Sequence, residues 1–172
     1  GDSLGFSHRT GGLVNKGVDL HHNLVLWGGD DGVEMDYTYR SCVVHHNLFA
    51  NHASGLSFQM VVNGPAYGFR NVMYNLQRGP YKIKPERSEN DGVFIFNNTT
   101  VKAGTAYVNW SVEADGAAIV NNLFVGTGGT LLVQTGGRKG FRRLVMDYNA
   151  WSYDGGFSMR NCRAKNFREW KE

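Results

Sequence analysis

Long apolar runs are missing from this 172-residue chain. No stretch approaches the roughly 20 consecutive apolar residues that a bilayer-spanning helix needs, and no charged-then-apolar leader opens it. The expected protein is therefore soluble, with no signal peptide in the chain and no membrane partner. A strong excess of one charge is missing too: 18 Lys and Arg stand against 15 Asp and Glu, and a net +3 is too small to imply a nucleic-acid partner. Cysteine is scarce, with only Cys42 and Cys162, far apart and in no metal-ligand spacing, so buried free thiols are expected ahead of a disulfide. Proline occurs only 3 times, and no helical periodicity runs through the chain. Glycine, by contrast, is abundant: 23 residues without an every-third spacing exclude collagen and point to many tight turns. At this length and 41% hydrophobic content the chain can bury the core of one domain.

The chain also repeats itself. "CVVHHNLFAN" at 42–51 returns as "AAIVNNLFVG" at 117–126. Segments of the form apolar-x-apolar-x-Asn end at Asn23, Asn47, Asn75, Asn98, Asn122 and Asn149, in steps of 24, 28, 23, 24 and 27 residues. Three positions before each Asn stand Leu20, Val44, Val72, Ile95, Ile119 and Met146, all apolar, in a strand-like period of two. A second strand row lies between these segments: "LGFS", "GVEMD", "GLSFQ", "PYKIK", "TAYVN" and "TLLVQ". It yields two inward columns, one of Leu4, Val33, Leu56, Tyr81, Ala106 and Leu131, the other of Phe6, Met35, Phe58, Ile83, Val108 and Val133.

Short strands repeating without helices to carry crossovers imply a solenoid in which each strand stacks on its counterpart one repeat later, with right-handed winding. The recurrent Asn has a mechanical reason. It tolerates the backbone of a tight turn, and its amide can bond to the same amide one coil up and one coil down. Ladder residues would be inaccessible to glycosylation, although "NNT" and "NWS" match that pattern.

The stretch "DDGVEMD…CVVHHNLFANHASGLSFQ…GPAYGFRNVMYN…YKIK…NNTTV" resembles the bacterial right-handed β-helix repeat proteins, and the coils resemble the pectin-lyase-like superfamily. The resemblance implies an all-β, right-handed, single-stranded parallel β-helix of about six to seven coils over residues 1–159, with 160–172 as a tail or partial cap. It also implies a secreted or periplasmic protein. The chain begins inside a strand row and ends on "NFREWKE", so incomplete end caps and self-association through a coil end or edge, as a homodimer, are expected.

Chemistry is expected on the outward side of the second strand row. Alternating with the inward columns are Glu34 and Asp36, then Ser57 and Gln59, Lys82 and Lys84, and Tyr107 and Asn109. Stacked strands lie ~4.8 Å apart, which puts the carboxylates and the lysines ~10 Å from one another, the scale of a bound sugar ring. Asp30 and Asp31 at the turn before the strand complete four acids within seven residues, an oxygen-rich set that suits Ca²⁺. Tyr67 and Trp110 offer flat surfaces for sugars, and Arg70 a fork for carboxylates. The plainer reading of this face is a solvated surface with cross-rung ion pairs.

Three functions compete. A polysaccharide lyase would neutralise a uronate through Ca²⁺ on Asp30 and Asp31, or through Arg70, and remove the C5 proton with Lys82 or Lys84, a task that needs a depressed lysine pKa. Glu34 and Asp36 stand beside them as candidate catalytic acids, and Gln59, Tyr107 and Asn109 as substrate contacts. Resemblance to the polygalacturonase-type inverting hydrolases rests on "DD" at 30–31, His52 and "KIK" at 82–84, whereas that family's Asn-Thr-Asp motif is replaced by "SHRT". A non-catalytic carbohydrate-binding or structural β-helix is the third. The pairs His21-His22 and His45-His46 could assemble a metal site by stacking, but a packing column continued by Met73 and Phe96, and by Tyr74 and Asn97, is preferred.

Overall fold

A computed structural model of the chain describes residues 1–5, 15–59, 61, 64–83, 92–103, 108–110, 116–126, 133–135, 144–152, 157–159, 162–164 and 168–169. In these residues the chain is an all-β parallel solenoid of about four turns with almost no helix. Three six-stranded parallel sheets run along it. Sheet I stacks Leu4–Gly5, Asp31–Glu34, Ser54–Phe58, Tyr81–Ile83, Val108–Trp110 and Val133–Thr135. Sheet II stacks Asp19–His21, Cys42–His45, Ala66–Phe69, Val93–Phe96, Ala117–Val120 and Val145–Asp147. Sheet III stacks Leu24–Leu26, Leu48–Ala50, Val72–Tyr74, Thr99–Lys102, Leu123–Gly126 and Ala150–Ser152. Phe157–Met159 and Cys162–Ala164 pair antiparallel beyond these sheets.

Alternating side chains from all three sheets fill the interior. Val33, Leu56 and Tyr81 are in register on sheet I, and Phe49, Met73 and Phe124 meet them from sheet III, all fully buried. Burying each such side chain contributes about 1.5–3 kcal/mol, so the core stabilises every rung separately. The Tyr81 phenol donates to Asn122 Oδ1 at 3.3 Å, tying sheet I to the opposite corner across the core. Cys42 is a buried free thiol.

The corner between sheets II and III holds the expected asparagine ladder, with one correction. Its rungs are Asn23, Asn47, Asn71, Asn98, Asn122 and Asn149, and each Oδ1 from Asn47 onward accepts from both the backbone N–H and the Nδ2 of the rung before it at 2.9–3.1 Å. The third rung is Asn71, not Asn75. That coil contains the motif twice, as "AYGFRN" and "NVMYN", and the more apolar copy is the wrong one. Gly68 occupies the inward column where Val72 was expected, because a Cβ there would come within 2.7 Å of Leu56 Cδ1. Val72 lies on the outer face of sheet III and Asn75 at a different corner, where its Nδ2 donates to Asn51 Oδ1 at 2.7 Å.

The residue before each ladder Asn turns the chain through a positive φ: His22 (55°), His46 (54°), Arg70 (53°), Asn97 (56°), Asn121 (56°) and Tyr148 (54°). In the third rung the histidine columns are therefore continued by Phe69 and Arg70, where Met73 and Tyr74 were expected, and in the fourth by Phe96 and Asn97 as expected.

Candidate functional site

On sheet I a single register column runs through Gly5, Glu34, Ser57, Lys82, Asn109 and Gln134, and Glu34, Ser57 and Lys82 carry its chemistry. The last two rows differ from expectation by two residues: Val108 pairs with Tyr81 and Trp110 with Ile83. A two-residue slip preserves the alternation of the strand, so Asn109, expected level with Lys84, takes the register position beside Lys82 where Tyr107 was expected. Tyr107 and Lys84 lie outside the described residues. Trp110 belongs to the same strand of sheet I.

Asp36 was expected to point outward into solvent, but it is buried. It accepts hydrogen bonds from Ser57 Oγ and the Gln59 backbone N–H at 3.0 Å each, and from Gln59 Nε2. Gln59 thus serves the carboxylate directly, and Ser57 is fully buried with it. Neutral donors compensate the buried carboxylate, and losing one would leave it short of a partner in a dry setting.

Glu34 sits half-buried beside this group. Burial first, then the charge and hydrogen bonding of Asp36, then those of Asp2, push its carboxyl up to about 8 from an ordinary value of 4.5. Glu34 consequently keeps its proton through the neutral range, whereas most surface glutamates have lost theirs. Carboxylate oxygens of Asp2, Asp31 and Glu34 lie within 4.8 Å of one another.

Asp31 is fully buried, and burial is the largest influence on its carboxyl, raising it against the opposing effect of Lys82. Its Oδ2 accepts from Lys82 Nζ at 2.7 Å, while Oδ1 has no partner of normal geometry among the described residues. For Lys82, burial alone would lower the pKa, but the hydrogen bond and charge of Asp31, with Asp30 and Asp36 behind, outweigh it and raise the value. The ammonium form is thereby favoured, the reverse of what a lysine acting as a proton-abstracting base requires.

The remaining sequence candidates are dispersed. Asp30 is partly exposed, 4.0 Å from Arg78, and does not join the carboxylate cluster; Asp2 takes the place expected for it. Tyr67 is on sheet II, stacked on Phe94 at 5.4 Å, and Arg70 is at the ladder corner, so neither shares the sheet I face. His52 is buried, bonded to the Val25 carbonyl at 3.0 Å and close to Ser3 Oγ, a structural role. Gly28 packs against it so closely that a Cβ would lie 2.2 Å from the imidazole. Asp2 was missed although a signal existed: the pairing of Leu4 with Val33 brings the residues before Leu4 alongside Asp31.

No protein-family model, curated protein or solved structure matches the chain.

Proposed function

We propose that the chain is a carbohydrate-active β-helix that binds or cleaves an acidic polysaccharide along the outer face of sheet I. The reading includes right-handed winding, six to seven coils and kinship with the pectin-lyase-like superfamily. The supporting observation is Glu34, whose carboxyl is raised to about 8 between Asp36 and Asp2. Cleavage of a glycosidic bond by elimination or by hydrolysis needs a proton for the departing oxygen, which Glu34 holds at neutral pH, and a base to take the C5 proton or a proton from water, a role open to the adjacent exposed Asp2 carboxylate. Lys82, kept cationic by Asp31, supplies attraction for a uronate rather than the base.

As an alternative to Glu34 holding a proton, the donor set also suits a hard cation, which would bind the deprotonated carboxylate. Asp2, Asp31 and Glu34 converge, and Asp31 Oδ1 is buried without a hydrogen bond among the described residues. Oxygen-only ligands of this kind fit Ca²⁺, whose contribution would be to neutralise and orient a substrate carboxylate. A non-catalytic binder is the second reading, favoured by Asp36 and Ser57 being buried on each other rather than lining an open cleft.

Polyuronates incubated with the chain, with and without Ca²⁺, test the proposal. Elimination generates an ultraviolet-absorbing unsaturated product, hydrolysis releases reducing ends without it, and a binder shifts in affinity electrophoresis without turnover. In each case Glu34→Gln weakens the response while the fold is kept. Absence of turnover and of binding across acidic polysaccharides overturns the proposal.

A further inference from the structure

The outer face of sheet III is apolar where a solvated face would be polar. Its first three strands read LVL, LFA and VMY, and with Val25, Phe49 and Met73 turned into the core, apolar side chains are left on the solvent side as well. Two register columns make up this face, one running from Leu24 through Leu48 and Val72 to Ala150, the other from Leu26 through Ala50 and Tyr74 to Ser152. Neither column holds a charged residue in any rung. The other two outer faces do: Glu34 and Lys82 stand on sheet I, Asp19 and Asp147 on sheet II. Unbroken apolar runs of this kind belong to parallel strands that are covered on both faces.

Exposure is concentrated in the first three rungs. Leu24 is 66% exposed, Leu26 43%, Leu48 37%, Val72 40% and Tyr74 54%, and Trp27, at the corner that follows, is 79% exposed. Together these six side chains offer on the order of 700 Å² to solvent, more than the ~300–600 Å² of the largest patch on a typical monomer and close to the ~800 Å² that each partner buries in a standard interface. Polar groups border the patch, with His22, His46 and Arg70 at the ladder corner on one side and the Asn51–Asn75 amide pair on the other. An apolar centre inside a polar rim is the layout of a protein interface, and Trp and Tyr are residue types that anchor one.

We propose that the first three rungs of sheet III form an isologous interface with the same rungs of a second copy of this chain. An uncharged face selects such an occupant. A different protein would be singled out by complementary charge, which this face lacks, whereas a second copy brings an equally uncharged apolar surface of matching area. Two sheets packed face to face lie about 10 Å apart, so the outward side chains of both copies interdigitate in one layer, as in the core of a sandwich. Because each copy uses this face once, the assembly closes at two. The charged face of sheet I belongs to another side of the solenoid and takes no part.

The repeat provides the control. In the fourth rung Thr99 takes the column position held by Leu24, Leu48 and Val72, so a strand of this sheet accepts threonine on its outer face. The double variant Leu24→Thr with Leu48→Thr copies that rung, removes apolar surface from the interface and leaves the core side chains as they are.

Sedimentation equilibrium of the full chain at neutral pH, from about 1 to about 100 μM, is the experiment, with far-ultraviolet circular dichroism as the check on folding. Expected are a monomer–dimer equilibrium with no larger species for the wild-type chain, and a dimer dissociation constant raised by roughly 10-fold or more in the double variant with its β spectrum unchanged. A wild-type chain that stays monomeric throughout the range overturns the proposal, and so does one that grows into larger oligomers with concentration. A double variant that dimerises as tightly as wild type overturns it too, by placing the pairing at a coil end, an edge or another face. If the double variant loses its β spectrum, Trp27→Asn decides, because asparagine holds the same corner in the next two rungs, at Asn51 and Asn75, with the same positive φ. A weakened dimer in that variant supports the interface, and an unchanged one overturns it.

Discussion

The inside of the ladder corner and the outer face of sheet I are products of the same repeat, yet they use it in opposite ways. In the corner an asparagine returns in all six rungs and each amide satisfies its neighbours. On the sheet I face the column reads Gly5, Glu34, Ser57, Lys82, Asn109 and Gln134, with no residue used twice. A position where every rung needs the same bond cannot vary, because one missing amide strands its partners on both sides. A position that only has to sit on a pleated face is free to differentiate, and the acid and lysine groups collect there. Sameness marks the scaffold in this molecule, and difference marks the chemistry.

That contrast is breakable by mutation. Asn98→Ala should have the largest effect: it removes the acceptor for the Asn71 N–H and Nδ2 and the donor to the Gly68 carbonyl, at a cost of about 3 kcal/mol. A denaturant midpoint equal to wild type would mean that the ladder is ornamental. Tyr81→Phe, which removes the phenolic hydrogen bond from sheet I to the corner, should cost about 1 kcal/mol by the same measurement.

Glu34→Gln should act on the pH dependence rather than on the neutral-pH fold. Because the folded carboxyl titrates near 8 and the unfolded one near 4.5, the folded state holds the extra proton between them. Stability from this group is complete below about 4.5, declines as pH rises, and is lost above about 8. The variant should flatten that decline in midpoints measured across the range, and an unaltered profile would remove Glu34 from its proposed role as proton holder. The smallest effect is expected from Asn75→Ala at the outer corner, within about 0.5 kcal/mol, since its amide bond to Asn51 is exposed. A loss as large as that of Asn98 would make the second corner a ladder in its own right.

Much of the fold was legible because the repeat announces itself in apolar alternation and in asparagine. Five of the six ladder rungs and the sheet I column through Leu4, Val33, Leu56 and Tyr81 follow directly from that pattern. The third coil misled because its inward residue is Gly68, which has no side chain to mark the column, while "NVMYN" four residues later imitates the motif. The candidate site was legible only as a strand face. Alternation could put Glu34 and Lys82 on one side, but it could not show that Asp36 folds back under Ser57 and Gln59, that Lys82 is held by Asp31, or that Asp2 completes the acids. Those depend on distances between coils, which no single period encodes.

The ladder also has a direction. From Asn47 to Asn149 every Oδ1 accepts from the rung before it, and no amide in the series runs the other way. Aligned amides polarise one another along the series, as they do in any continuous chain of hydrogen bonds. The two ends of the column are therefore chemically unlike: a coil joining beside Asn23 must bring donors, and one joining beside Asn149 must bring an acceptor. A second copy stacked head to tail meets both demands, whereas a two-fold pairing sets like against like.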